Sequence, residues 1–282
     1  MISRLPLSLR APLLGAAFIS VAFLAGCSQQ QAPAPADAPA TATAPAAEAA
    51  PATQAPATAA PTAAGPATAE GAAPAAPNNN PVEAPPGPAP GGGTDYIEIA
   101  GGQPYQPAAG KIEVVEVFGY TCPHCAHFET LVESWKAKQP ADVQFTPVAA
   151  PFGGYWTPYA KAFYTAQAMG LLDKTHEAVF NAIHVDRSLP APPTVATPDQ
   201  IAAFYAKYGV DAKQFASTMS SFAIDAKVKR ANQFIQRSGV EGTPTIVVAG
   251  KYRVVGKGFE DMLRITDHLV AQERAKAAAT GG

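Results

Sequence analysis

The pattern of apolar and polar residues predicts regular structure only after Thr94. Five runs rich in β-branched and aromatic residues predict short strands. In chain order these are Tyr96–Ile99, Ile112–Phe118, Val143–Val148, Thr245–Ala249 and Tyr252–Val255. The last two are joined by Gly250-Lys251, which predicts a β-hairpin.

Apolar residues recur at helical spacing through most of the remaining sequence. A helix after the second strand carries an apolar face made by Phe128, Leu131, Val132 and Trp135. From Thr157 to Ser238 the pattern is helical throughout, with a cap residue before proline at Thr157-Pro158 and at Thr197-Pro198. A closing helix begins at about Phe259. The order predicts an α/β protein whose mixed central sheet is interrupted by a helical insertion at about 157–238.

The segment Ser28–Gly93 has a different composition. It consists mostly of Ala, Pro, Thr and Gly, and it contains no Phe, Trp or Tyr. Such a segment buries too little apolar surface to offset the entropy of ordering, which predicts a disordered linker. A flexible chain of about 66 residues has a root-mean-square reach of about 45 Å. The compact domain is therefore expected at 94–282.

The first 26 residues are typical of an export signal. Arg4 and Arg10 precede an apolar run that ends in Leu24-Ala25-Gly26-Cys27, which resembles the bacterial lipobox. The run is shorter than the roughly 20 residues of a spanning helix. We therefore expect Cys27 to be lipidated and to anchor the chain to a membrane. The alternatives are an ordinary signal peptide with a chance cysteine, or a short uncleaved anchor.

The charge and the cysteine content limit the classes of function that the domain can have. Two of the 20 basic and four of the 22 acidic residues precede Thr94, so 94–282 carries 18 of each. A domain of balanced charge with no basic stripe is not typical of nucleic-acid binding. Of the three cysteines, Cys27 is assigned to lipidation, and the other two are Cys122 and Cys125. In an exported protein one such pair indicates redox chemistry rather than a disulfide framework.

The run Cys122-Pro123-His124-Cys125 lies where the second strand gives way to the first helix. A thiol attacks a disulfide only as its thiolate, and a helix amino terminus favours that charged form. Cys122 is therefore the predicted nucleophile, and Cys125, one turn further on, is the resolving thiol. His124 is expected to add a hydrogen bond or a positive charge that stabilises the Cys122 thiolate further.

The alternative interpretation of the same stretch is a zinc site. Cys122, Cys125, His124 and His127 provide two sulfurs and two imidazoles. Zinc sites normally take a second pair of ligands from a distant segment, however, and no further cysteine is available after Cys125. We expect no metal.

Together, Cys122-Pro123-His124-Cys125, the helical insertion and Gly242-Thr243-Pro244-Thr245 before the hairpin resemble the DsbA family of periplasmic disulfide oxidases. The resemblance covers about 96–275 and implies a thioredoxin-like fold. It also implies that Pro244 is a cis-proline packed against the redox pair, and that Thr243, Pro244 and Pro123 bind substrate.

The resemblance further implies that Glu116, six residues before Cys122, is a buried acid that relays protons near the resolving cysteine. Some members of the family pair this acid with a lysine just before the next strand. Here that stretch reads Pro140-Ala141-Asp142, and Lys138 is the nearest candidate. Without a cationic partner, a buried Glu116 should be protonated at neutral pH.

The function that follows is a thiol:disulfide oxidoreductase that donates its disulfide to unfolded exported proteins and needs no cofactor besides that disulfide. The resemblance implies re-oxidation by a quinone-linked membrane protein like DsbB. We expect a periplasmic, membrane-anchored monomer, with the choice of membrane undecided. The alternatives are a tethered reductase or isomerase of the same fold, and a non-catalytic substrate-docking lipoprotein.

Overall fold

The computed structural model describes residues 78–280, so the predicted signal peptide, Cys27 and most of the predicted linker lie outside the described residues. Its strands are β1 Tyr96–Glu98, β2 Ile112–Phe118, β3 Val143–Ala149, β4 Thr245–Val248 and β5 Tyr252–Val254. Its helices are α1 Pro123–Lys136, α2 Trp156–Ala168, α3 Leu172–His184, α4 Pro198–Ala206, α5 Ala212–Met219, α6 Phe222–Arg237 and α7 Phe259–Thr280. Within 78–280 no helix has the length and apolar character needed to cross a bilayer.

The five strands form one mixed sheet in the order β1-β5-β4-β2-β3. β2 pairs parallel with β3 and antiparallel with β4, and every residue of β2 except Ile112 is buried. Because side chains alternate along a strand, Val114 faces the core formed with α1 and α7, whereas Val115 and Val117 face the helical insertion. A central strand with both faces covered explains the nearly continuous apolar run.

The helices α2–α6 lie between β3 and β4, where the helical insertion was predicted. The predicted cap at Thr197 is confirmed: its hydroxyl accepts from the N–H of Gln200 at 3.2 Å, and the Gln200 side chain accepts from the N–H of Thr197 at 2.9 Å. The predicted cap at Thr157 is wrong, because α2 already begins at Trp156. The residue before α2 is Tyr155, which makes no side-chain cap hydrogen bond, and the Trp156 indole packs on Gly119.

The hairpin between β4 and β5 turns one residue earlier than predicted. Ala249 and Gly250 have φ angles of 51° and 66°, and the N–H of Lys251 donates to the carbonyl of Val248 at 2.9 Å. Positive φ at both central residues is the geometry of a type I′ turn. Only glycine fits at Gly250, since an added Cβ would lie 2.1 Å from the backbone of Gln103.

The N-terminal strap (Asn78–Gly93) packs against the domain. The side-chain amide of Asn78 donates to the carbonyl of Gln139 at 2.6 Å, and that of Asn80 donates to the carbonyl of Ala137 at 2.7 Å. These carbonyls lie at and just beyond the carboxyl end of α1, where main-chain oxygens have no partner within the helix. Farther along, the strap accepts hydrogen bonds from α7. The predicted domain boundary at Thr94 therefore does not coincide with the first packed residues.

Candidate active site

Cys122 is the N-cap residue of α1. Its backbone is extended, with φ −91° and ψ 114°, and its sulfur accepts a hydrogen bond from the N–H of Cys125 at 3.4 Å. Pro123 follows at the first helical position, where the missing N–H leaves no intrahelical bond unmade. The sulfur of Cys122 thus lies at the positive end of the helix dipole, as predicted.

The loop before β4 lies against the sulfur of Cys122. The two are brought together because β2 and β4 are neighbours in the sheet, with Val117 opposite Thr245. The thiol of Cys122 donates to the carbonyl of Thr243 at 3.5 Å. The peptide bond between Thr243 and Pro244 is cis, as the resemblance implied.

The two thiols of the pair are polarised in opposite directions. A hydrogen bond from the Cys125 side chain is the largest influence on Cys122; it outweighs burial and, with the Thr243 side chain and the main-chain N–H groups of Cys125 and His124, lowers the Cys122 pKa to about 5. Burial raises the pKa of Cys125 far above its ordinary value, and the neighbouring Cys122 and Glu116 raise it further. Near neutral pH the reduced pair therefore consists of a Cys122 thiolate and a Cys125 thiol.

The side chain of His124 is exposed, and its main-chain N–H is the group that acts on Cys122. None of the hydrogen bonds described for the Cys122 sulfur comes from the imidazole, so a contribution of that ring stays a prediction. His127 is also exposed. Among residues 78–280, no three His, Cys, Asp or Glu side chains are grouped so that they could hold a metal ion.

Glu116 lies in the middle of β2 and has no exposed surface. Neither of its carboxyl oxygens has a hydrogen-bond partner. Burial, followed by the negative charge of Glu129, raises the Glu116 pKa well above its ordinary value, which favours the protonated form of this carboxyl. The cation that acts on it is Lys136 rather than the expected Lys138, which is exposed, and Lys136 is itself paired with Glu133 at 2.6 Å.

Behind the redox pair lies a polar group that sequence reasoning missed. Glu129 on α1 contacts the Nε2 of His176 on α3 at 3.4 Å, and the Nδ1 of the same ring lies 2.8 Å from the hydroxyl of Tyr120. The Nε2 of His184 lies 2.7 Å from the carbonyl oxygen of Tyr120. Both histidines lie on α3, eight residues apart. Their spacing of two helical turns, with Phe180 midway, was the available signal that they share one face.

The comparisons with known proteins agree with this geometry. Residues 142–269 match the model of the DSBA-like thioredoxin domain. The chain is 43% identical over 189 residues to the thiol:disulfide interchange protein DsbA of Pseudomonas aeruginosa, covering 66% of this chain and 86% of that protein. It is 40% identical over 187 residues to the protein of the same name from Azotobacter vinelandii, covering 65% and 84%.

Solved structures show the same relationship. The crystal structure of the oxidoreductase DsbA from Xylella fastidiosa is 48% identical, with a TM-score of 0.64, and the match covers 66% of this chain and 98% of that one. The crystal structure of Pseudomonas aeruginosa DsbA is 41% identical, with a TM-score of 0.60, covering 67% and 96%. The predicted fold class, a thioredoxin-like mixed sheet with inserted helices, is confirmed. This chain belongs to the DsbA family of thiol:disulfide oxidoreductases.

Proposed function

We propose that this oxidoreductase works as a disulfide donor, passing the disulfide of Cys122 and Cys125 to newly exported proteins. The observation that carries the proposal is the opposite polarisation of the two thiols. A stabilised Cys122 thiolate favours the reduced form of the pair, and a pair that favours its reduced form is a strong oxidant of other dithiols.

The first step is attack of a substrate thiolate on the sulfur of Cys122 in the oxidised pair. The bond between Cys122 and Cys125 breaks as the mixed disulfide forms, and Cys125 leaves with the electron pair. Because Cys125 is buried and its pKa is raised, the leaving sulfur has to take up a proton. Glu116 is a buried carboxyl whose protonated form is favoured and whose ionisation would raise the pKa of Cys125 further, and we assign it as the proton donor.

In the second step, another thiolate of the substrate attacks the substrate sulfur of the mixed disulfide. The substrate leaves with its new disulfide, and Cys122 departs as the thiolate that α1 stabilises. Two electrons have then moved from the substrate dithiol to the pair. Glu116 recovers its proton from solvent. The pair itself holds the electrons, which is why we propose no bound cofactor.

Substrate is expected to bind at the loop that contains Thr243 and Pro244. Both residues are half-buried, and the carbonyl of Thr243 reaches the attacked sulfur. An extended substrate segment can pair with the main chain of such a loop in the manner of strand addition. Pro123 is exposed beside Cys122 and completes the contact surface.

The cellular setting is part of the same proposal. The leader and the lipobox-like stretch around Cys27 support a lipid-anchored protein on the periplasmic side of a membrane. Re-oxidation then falls to a quinone-linked membrane protein like DsbB, as the family resemblance implies. The proposed partners are unfolded exported proteins, and the proposed state is a monomer.

The reduction potential of the pair tests this direction of electron flow. The mature chain with Cys27→Ser, which cannot be lipidated, would be equilibrated against graded glutathione buffers. A value near about −120 mV is expected for a donor, whereas a value near about −270 mV would make the protein a reductase. Cys122→Ser should abolish turnover; a docking protein would instead keep its partners and show no turnover to lose.

A further inference from the structure

Helix α3 contacts Tyr120, near the redox motif, at two points. Tyr120 lies two positions before Cys122, and it is 1% exposed. Its hydroxyl contacts His176 at 2.8 Å and its carbonyl oxygen contacts His184 at 2.7 Å. The helical insertion therefore holds both the main chain and the side chain of the segment that leads into the nucleophile.

His176 uses both ring nitrogens at once. The Nε2–H of His176 donates to Glu129, and its Nδ1 shares a hydrogen bond with the hydroxyl of Tyr120, as acceptor in the neutral ring and as donor in the protonated ring. Aromatic rings enclose the imidazole, with that of Phe118 at 5.0 Å and that of Phe180 at 5.5 Å between ring centres. The carboxylate, the imidazole and the phenol thus form a chain, buried at Glu129 and Tyr120 and half-buried at His176, that ends beside the active-site loop.

Glu129 needs this contact because it is 5% exposed and its second oxygen has no hydrogen-bond partner. Burial alone would raise the pKa of Glu129, but the hydrogen bond and charge of His176, together with Lys136 and a hydrogen bond to Glu133, outweigh burial and lower it. The charge that His176 maintains on Glu129 in turn opposes ionisation of Glu116. The protonation states of the two buried carboxyls are therefore linked.

The charged and titratable groups around this chain come from several elements. On α1 they are Glu133 and Lys136, which act on both carboxyls. On β2 the group is Glu116, and on α3 it is His184. From α4, the phenol of Tyr205 acts on Tyr120. His176 is the group that contacts both Glu129 and Tyr120.

We propose that His176 is a positioning residue for the redox pair: it holds the charge of Glu129 and the hydroxyl of Tyr120 together, so that Glu116 is the carboxyl that exchanges a proton with Cys125. The inference rests on the proposed function in that the leaving Cys125 needs a proton. Its main test reads the carboxyl groups directly, so that it can fail while disulfide donation stands.

The direct test is infrared spectroscopy of the mature Cys27→Ser chain at neutral pH, where the C=O stretch of protonated carboxylic acids is resolved from that of carboxylates. In the chain that retains His176, Glu116→Gln should remove the part of this signal that one carboxylic acid contributes. His176→Leu should add the signal of a second carboxylic acid, about as large as that of Glu116, because Glu129 loses its partner and becomes protonated. Adding Glu129→Gln should remove the new signal. A folded His176→Leu protein with an unchanged signal would overturn the proposal.

His176→Gln covers the case in which the leucine variant does not fold. The amide keeps a donor and an acceptor but cannot carry positive charge, so the Glu129 titration should move to higher pH; an unchanged curve refutes the proposal. His268→Gln is the control, because it removes an imidazole that contacts the strap instead. For each His176 variant, the rate of the first oxidation step would be divided by that of the parent protein. This ratio should fall as pH rises. A ratio that does not vary with pH would mean that His176 serves packing alone.

Discussion

The N–H of Cys125 donates to the sulfur of Cys122 across 3.4 Å, so one cysteine of the motif stabilises the charge of the other. The thiol of Cys125 acts in the same sense and is the largest single influence on the Cys122 pKa. The spacing of three residues therefore does more than allow a disulfide, because it also places two donors of the resolving residue on the nucleophile when the pair is reduced.

We predict that Cys122 titrates with a midpoint of about 5 in the reduced protein. The ultraviolet absorbance of the thiolate measures this directly, with Cys122→Ser as the blank. Since the folded pKa lies below the ordinary value of 9.0, the unfolded chain binds more protons between those two pH values. Relative to Cys122→Ser, the reduced protein should gain stability as pH rises through this window, by at most about 1.4 kcal/mol per pH unit, and lose it as pH falls towards 5. A difference in stability that does not vary with pH would contradict the shift.

Glu116 is expected to lower the stability of the fold and to raise the rate of disulfide donation. Its two carboxyl oxygens are buried without partners, so Glu116→Leu is expected to stabilise the fold by about 1–3 kcal/mol in urea denaturation. The same variant should slow disulfide donation by roughly tenfold or more, since the leaving Cys125 loses its proton donor. Glu116→Gln keeps the shape of the side chain and should be equally slow. If both variants turned over at the parent rate, Glu116 would have no part in proton transfer.

Gly119 is expected to tolerate no side chain. A Cβ there would lie 2.0 Å from the Trp156 indole, and the carbonyl of Gly119 accepts the N–H of Cys122 at 2.9 Å. Gly119→Ala should therefore destabilise the fold by about 1–3 kcal/mol and slow thiol exchange. Gly258→Ala is the matched control, because a Cβ at that position would meet no atom within 4 Å. Equal stability of the two variants would show that the indole moves aside freely.

The N-terminal strap should contribute to stability but not to chemistry. A chain that begins at Asn78 is expected to be more stable towards urea than one that begins at Thr94, by about 1–3 kcal/mol, from the hydrogen bonds and apolar contacts of the strap. Both should exchange disulfides at the same rate. Asn78→Ala with Asn80→Ala should reproduce part of the loss. Identical denaturation midpoints for the two truncated chains would remove the strap from the folded unit.

Cys27 should carry the lipid. Metabolic labelling with a fatty acid is expected to mark the full-length chain, and Cys27→Ser should abolish the label and release the protein into the soluble fraction. The two acyl chains of a lipidated cysteine provide stable anchoring, which a single chain does not. Labelling that survives Cys27→Ser would place the modification elsewhere.

Local patterns predicted the parts of the molecule that local physics determines. The strand Ile112–Phe118, the start of α1 at Cys122 and the helix cap at Thr197 were all predicted, because each depends on neighbours within a few residues. The link between Glu129 and His176 was missed because it joins side chains 47 positions apart. The strap was missed for a different reason: a proline-rich composition is the same whether a segment lies on a surface or extends into solvent.

The two ends of α1 have different roles: one carries the reactive cysteine and the other binds the N-terminal strap. Cys122 begins the helix, and the carbonyls that receive Asn78 and Asn80 lie at its far end, about 20 Å away for a helix of 14 residues. The polypeptide thus joins the domain at the end of α1 that does not carry the reactive sulfur. For practical handling, the protein can be coupled through its amino-terminal side to a bead, an electrode or a fusion partner. Its redox face then stays open to macromolecular substrates.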